Sequence, residues 1–404
     1  MKKNDSQTLS GQNTVYTVLL TIGFAHLLND MMQSVIPAVY PLLKEKFDFS
    51  FVQIGVITLV FQITSSLLQP VAGRLADKHP APYSLAVGMG FTLVGLLALA
   101  AAPSFGWILA AVGLIGCGSS VFHPESSRVA QLASGGRKGL AQSIFQVGGN
   151  AGSAMGPLLA ALVVIPFGQG AIGWFALTAL LAIFVLVRIG NWYKGQLYAA
   201  ARNRAASTAA VASRFSKRTV HTALFILGIL VFSKYFYIAS MTNYFTFFLM
   251  DKFAMSVQGA QYCLFAFLAA SAVGTFFGGP LGDRIGRKYV IWGSILGAAP
   301  FTLCLPYVGQ TATILLAILI GLIISSAFSA ILVYATDLMP DKVGMIAGVF
   351  FGLMFGLGGL GSAFFGWLAD KTSIQFIFQI STLLPLLGVI TGFLPNIEPR
   401  QRTR

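Results

Sequence analysis

Charge is what this 404-residue chain has least of. Asp, Glu, Lys and Arg together make up 9% of it, against about 25% in an ordinary soluble domain. So little polar surface cannot cover a folded domain in water. Cysteine is nearly as scarce. The three thiols, Cys117, Cys263 and Cys304, fall in separate apolar runs, which excludes a disulfide framework and any metal-ligand spacing. No phosphate-cradling glycine loop and no nucleophile–base pair is present, so neither a self-contained ATP-driven pump nor an enzyme is expected, and no catalytic residue is assigned. Acidic residues number 12 against 26 Lys and Arg, a net charge of +14. That excess does not point to nucleic acid, because the basic residues are scattered among short loops rather than gathered in a patch.

What is abundant is apolar length. Hydrophobic residues make up 56% of the chain. A spanning helix needs about 20 apolar residues, and only helices or closed barrels satisfy their backbone groups in lipid. Hydropathy and helix breakers place spans at 15–43, 51–72, 82–102, 106–133, 139–165, 171–193, 220–250, 258–281, 289–307, 311–338, 343–368 and 375–395. The expected fold is an all-α polytopic membrane protein of twelve transmembrane helices in two pseudo-symmetric six-helix bundles around a central cavity. The expected boundaries are a tail at 1–14, a first half at 15–193, a basic linker at 194–219, a second half at 220–395 and a basic tail at 396–404. Residues Met1 to Gln12 are polar, so no cleavable leader is expected.

Placing the N-terminus in the cytoplasm leaves only Lys44, Lys46, Lys252 and Lys371 on the outside and Lys234 at membrane depth. All other basic residues then lie inside, which puts both termini in the cytoplasm. The halves are also repeats. An offset of 206 residues carries Phe47 onto Phe253, Gly73 onto Gly279, Asp77 onto Asp283, Ser119-Ser120 onto Ser325-Ser326 and Phe122 onto Phe328. A constant offset through separate regions marks a duplicated six-helix unit.

Two motifs follow from this plan. The loop after span eight reads Gly279-Pro-Leu-Gly-Asp283-Arg284-Ile-Gly286-Arg287-Lys288, with a shorter echo at Gly73-Arg-Leu-Ala-Asp77-Lys78. It resembles the loop signature of the major facilitator superfamily and matches its fixed positions in the second copy. The first copy lacks the trailing glycine and basic pair. Span five carries Gly152-Ser-Ala-Met-Gly156-Pro157, similar to that superfamily's antiporter motif. Three strings narrow the resemblance: His26-Leu-Leu-Asn-Asp30, the run Ser119 to Arg128, and the run Phe232 to Tyr237. With Gly139 to Gly149, they are similar to the family of bacterial fosmidomycin resistance transporters, over nearly the whole chain from Gly23 to Pro395. The resemblance implies the major facilitator fold in the bacterial inner membrane and proton-driven export of a small anionic phosphonate drug, with the proton gradient as energy source and no cofactor. It implies as partners the small anionic or drug substrate, protons and membrane lipid, and a monomer that functions alone. An organic-anion importer and a passive facilitator are the alternatives.

Polar groups at membrane depth cost roughly 2.5–3.5 kcal/mol each, so the few present are candidate site residues. His26 and Asp30 are four apart in span one and share a helix face, extended by Asn29 and Gln33. Span four holds Phe122, His123, Glu125 and Arg128; span five holds Gln146 and Asn150; span seven holds Lys234, Tyr235 and Tyr237. His26, Asp30, His123 and Glu125 are the expected proton-coupling groups. Lys234, Arg128, Asn29, Gln33, Phe122, Gln146, Asn150, Tyr235 and Tyr237 are the expected substrate contacts. The resemblance puts spans one, four, seven and ten around the cavity, so these groups are expected to face one another across it. An anion is then expected to bind where Lys234 is unpaired and Asp30 or Glu125 is protonated or turned away. Asp337 is expected to make a helix-end or loop contact rather than to carry protons.

Overall fold

The computed structural model describes residues 14–49, 51–206 and 215–397. Every regular element among them is helical. The first half of the chain contains α1 (Tyr16–Ala38), α2 (Tyr40–Phe47), α3 (Phe51–Leu67), α4 (Gln69–Lys78), α5 (Ser84–Ala100), α6 (Phe105–Leu132), α7 (Lys138–Leu159), α8 (Ile165–Phe167) and α9 (Phe175–Ala206). The second half contains α10 (Lys217–Phe253), α11 (Val257–Ile285), α12 (Arg287–Ile295), α13 (Ala299–Cys304), α14 (Gln310–Ser325), α15 (Ala327–Leu338), α16 (Val343–Lys371) and α17 (Ile374–Ser381), with a final 3₁₀ stretch at Leu384–Phe393.

The short pieces are consequences of proline. Pro70 opens α4, Pro300 opens α13 and Pro306 sits in the tight turn that follows α13, each removing a backbone donor that a continuous helix would need. Pro124 and Pro280 instead lie inside unbroken α6 and α11. Joined across such breaks, the helices form twelve stretches. Nine of them, among the described residues, are long and apolar enough to cross a membrane. The other three are α1, α5 and α7. The 17-residue α5 is short. Polar residues dilute the other two: His26, Asn29, Asp30 and Gln33 on α1, and Gln142, Gln146 and Asn150 on α7. These two helices are also packed closely against each other.

Helix α9 continues past the expected end of span six to Ala206, and α10 begins at Lys217. Residues 207–214 of the expected linker, the tail residues 1–13 and 398–404, and Arg202 and Arg204 as side chains lie outside the described residues. Cys117, Cys263 and Cys304 are all free, but Cys304 is exposed on the outer surface rather than buried in a helix interface.

The two halves meet most tightly at the end where the loops carry Arg137, Lys138, Arg287 and Lys288. Asp77 accepts from the backbone N–H groups of Gly344 and Met345 at 2.9 and 2.8 Å, so it caps the start of α16 across the interface. Asp283 does the same for α7, accepting from Gly139 and Leu140 at 3.0 and 3.1 Å. A carboxylate at a helix N-terminus satisfies orphan donors and complements the helix dipole. The motif glycines make this possible: a Cβ on Gly73 would lie 2.0 Å from the Gly344 carbonyl oxygen, and one on Gly279 would lie 1.8 Å from that of Gly139. Gly286, with φ of 103°, makes the turn between α11 and α12 that only glycine adopts without strain. Arg287 pairs with Asp283 at 3.3 Å and with Asp337 at 2.9 Å, and Lys138 reaches Asp337 from the other half. Asp337 is thus the expected helix-end contact. Arg284 is exposed. This basic end is closed.

Candidate functional site

Above that closure lies a cavity of about 400 Å³ between the halves. Its wall from the first half includes His26, Asp30, Gln146 and Asn150. Its wall from the second half includes Lys234, Tyr235, Thr275, Ser325 and Phe328. The structure divides the expected site residues between this wall and positions behind or below it.

Asp30 sits between two histidines. Its Oδ2 is 3.2 Å from His26 Nε2 and its Oδ1 is 3.4 Å from His123 Nε2. Asn29 Nδ2 donates to Oδ1 at 2.9 Å. His26 comes from α1, one turn before Asp30; His123 comes from α6, and is fully buried. The far side of each ring is anchored on a backbone carbonyl: His26 Nδ1 donates to Phe145 O at 2.7 Å and His123 Nδ1 to Ser119 O at 3.0 Å. Ser119 in turn donates to Gln33 Oε1 at 3.0 Å. Aromatic rings enclose the group. Phe145 stacks on His26 at 4.0 Å between centroids, Phe122 tilts against it at 5.7 Å, and Phe351 and Phe355 of α16 cover His123. Asn29, Gln33, Phe122 and His123 therefore support the cavity wall from behind rather than line it.

Lys234 is 2% exposed. Its ammonium lies 3.4 Å from Ser325 O, 5.3 Å from the Tyr235 ring centroid and 5.7 Å from that of Phe328. Carbonyl and aromatic faces stabilise a cation only partly. No carboxylate among the described residues pairs with Lys234. Asp30 is turned to the histidines instead. Asn150 Nδ2 donates to Thr275 Oγ1 at 3.2 Å, joining α7 to α11 at the cavity wall. Tyr237 is fully buried away from the cavity.

Glu125 and Arg128 are not in this wall. Arg128 points to the closed end, where it donates to Ala76 O at 2.5 Å and lies 3.6 Å from Asp77. Glu125 is buried, facing Tyr193 and Arg128. Helix geometry is the reason: Glu125 is two residues beyond His123, roughly 200° around α6, so the two cannot share a face.

Gly149, at the end of the run from Gly139, shapes the centre. A Cβ there would lie 2.4 Å from His26 Cε1 and 2.8 Å from Asp30 Oδ2. Gly152 of the antiporter motif works likewise against α1: its Cβ would lie 2.2 Å from Leu27 O. Gly156 and Pro157 continue helix α7, which relaxes into a wider turn at Ala160–Val164; their side-chain surroundings lie outside the described residues. Gly149→Ala should force His26 and Asp30 apart and cost about 1–3 kcal/mol by overpacking. A lowered melting temperature is the expected result; an unchanged one would contradict the role given to Gly149.

Thr275, Ser325 and Phe328 were missed as wall residues, although the 206-residue offset had already marked Ser325 and Phe328 as counterparts of Ser119 and Phe122. The ligand atoms of His26, Asp30 and His123 lie within 4.8 Å of one another, so the fold brings together three groups with metal-ligating chemistry that no sequence spacing announced.

Comparison with known proteins agrees with this architecture. The family model for the Major Facilitator Superfamily matches residues 22–249 and 227–404. The chain is 58% identical to the fosmidomycin resistance protein of Escherichia coli (strain K12), covering 95% of this chain and 94% of that one. It is 43% identical to the uncharacterized MFS-type transporter YfnC of Bacillus subtilis (strain 168), with the same coverage. Among solved structures it is similar to the human organic anion transporter MFSD10 (TM-score 0.75, 15% identity, covering 94% of this chain and 100% of that one). It is also similar to FucP in the outward conformation (TM-score 0.71, 14% identity, covering 94% and 98%). A helical chain whose halves cap each other through paired loop motifs, with a cavity between them, belongs to the Major Facilitator Superfamily and is a membrane transporter of small molecules rather than an enzyme.

Proposed function

We propose that this chain exports fosmidomycin, or small anions like it, across the bacterial inner membrane in exchange for protons. One observation carries the reading. A single cavity holds a buried ammonium without a carboxylate partner, Lys234, and a carboxylate held by two histidines, Asp30. An unpaired buried charge is costly, and an anion that enters the cavity relieves that cost. The name of the relative at 58% identity supplies the drug.

The basic end, placed in the cytoplasm by the positive-inside rule, is the closed one, so the cavity described here faces outward. Protons reach His26, Asp30 and His123 from that side. A membrane potential that is negative inside pushes an anion outward and pulls protons inward, each by about 2.3 kcal/mol per charge per 100 mV. Both legs of the exchange then run downhill. Lys234 anchors the anion, with Gln146, Asn150 and Tyr235 beside it. Glu125 lies outside the cavity, and the exchange is assigned to the His–Asp–His group instead.

Expression in a fosmidomycin-sensitive bacterium tests the reading. Accumulation of labelled drug should fall and return to the control level when an uncoupler collapses the proton gradient. Unchanged accumulation would contradict export, and raised accumulation would show import.

A further inference from the structure

We infer that the His26–Asp30–His123 group carries two protons in this outward-facing form, one in each gap between a ring nitrogen and a carboxylate oxygen, so that two protons enter for each anion exported. The inference rests on the exchange proposed above and specifies its stoichiometry.

Two backbone carbonyls fix the tautomers of the rings. A carbonyl oxygen only accepts. Nδ1 of His26 faces Phe145 O and Nδ1 of His123 faces Ser119 O, so both Nδ1 atoms carry hydrogen. The Ser119 hydroxyl confirms the second assignment, since its own proton goes to Gln33 and it offers Nδ1 a lone pair at 3.3 Å. In both rings the remaining nitrogen, Nε2, is then the one that gains or loses a proton. Both Nε2 atoms are buried without any other hydrogen-bond partner, and each faces a different oxygen of the same carboxylate at 3.2 and 3.4 Å. If either gap held no proton, a buried ring nitrogen with no other partner would press its lone pair against a carboxylate lone pair. One proton in each gap removes both repulsions. Whether a given proton sits on nitrogen or oxygen does not change the count.

The charge follows from the count. Two imidazolium groups and one carboxylate carry one net positive charge, and Lys234 adds another. The other polar side chains of the wall, Gln62, Gln146, Asn150, Thr275 and Ser325 among them, are neutral, and no other charged side chain among the described residues lines the cavity. The proton-loaded form without its anion is therefore positive, and an inside-negative potential draws it inward. The form without these protons and with an anion on Lys234 is negative, and the same potential drives it outward. Two protons suffice to reverse the sign between strokes.

The balance point of exchange in proteoliposomes reads the count. The full chain is reconstituted, the membrane potential is clamped at zero with potassium and valinomycin, and a tenfold gradient of labelled fosmidomycin is imposed. Net flux should vanish at an opposing gradient of about 0.5 pH unit if two protons exchange, and at about 1 unit if one does, because each pH unit contributes about 1.4 kcal/mol per proton. His26→Asn and His123→Asn should each move the balance point from about 0.5 to about 1 unit. A parent balance point at about 1 unit would overturn the two-proton count and leave the exchange intact. Flux indifferent to pH would overturn the exchange itself. Transport abolished by a chelator and restored by zinc would put a metal ion in place of the protons and overturn the inference.

Discussion

Replacing Lys234 with methionine should make the protein more stable and nearly useless as a transporter. The two effects share one cause. The ammonium is buried with a single backbone carbonyl at 3.4 Å and two ring faces near it. Buried charges without partners cost several kcal/mol, and replacing them by apolar groups of similar shape is often stabilising. Methionine matches the length of the stem and packs against Tyr235 and Phe328, so the melting temperature should rise. A bound anion loses the one ammonium that lines the cavity among the described residues. A charge-assisted hydrogen bond is worth about 1.5–3 kcal/mol, so the apparent affinity should fall by about 10- to 150-fold. Lys234→Arg should keep part of the affinity. Equal transport by parent and methionine variant, measured by drug accumulation in cells, would remove Lys234 from the substrate site.

The second large effect is expected at Asp30. Asp30→Asn keeps the side-chain shape but removes the negative charge that both histidines face. Leaving two imidazolium groups buried without a counter-charge would cost about 3–5 kcal/mol, so the rings give up their Nε2 protons instead. The variant should still move labelled anion down a gradient, because Lys234 is intact. It should no longer respond to ΔpH. Glu125→Gln, two residues from His123 but on the opposite side of α6, should keep the response. A pH-driven flux that survives in Asp30→Asn, or disappears in Glu125→Gln, would relocate the exchange.

Much of this was legible along the chain. The His26–Asp30 pair follows from four-residue spacing on one helix. The depth of Lys234 follows from the 206-residue offset, which sets it level with Leu28 beside Asn29 and Asp30. The loop motif at Gly279 to Lys288 announced a cytoplasmic turn, and its echo at Gly73 announced the duplication. What the chain could not show is which groups meet across helices. Nothing near His26 in sequence names Phe145 as the carbonyl that fixes its tautomer. Nothing near Asp77 names Gly344 as the helix start it caps, 267 residues away. Glu125 was grouped with His123 by proximity in sequence, although a two-residue step turns a helix through more than half a circle. Gly149 carried no signal of its own along the chain; only the folded α1–α7 contact shows that its missing Cβ leaves the space in which Asp30 reaches His26.

In the proposed exchange, anion and protons pass in opposite directions through one cavity. The most direct measurement is proton movement in proteoliposomes holding a pH dye, with an acidic lumen and fosmidomycin added outside. The account predicts alkalinisation of the lumen on adding the drug, absent in Asp30→Asn and in Lys234→Met. Labelled drug that enters while the dye stays silent would contradict it.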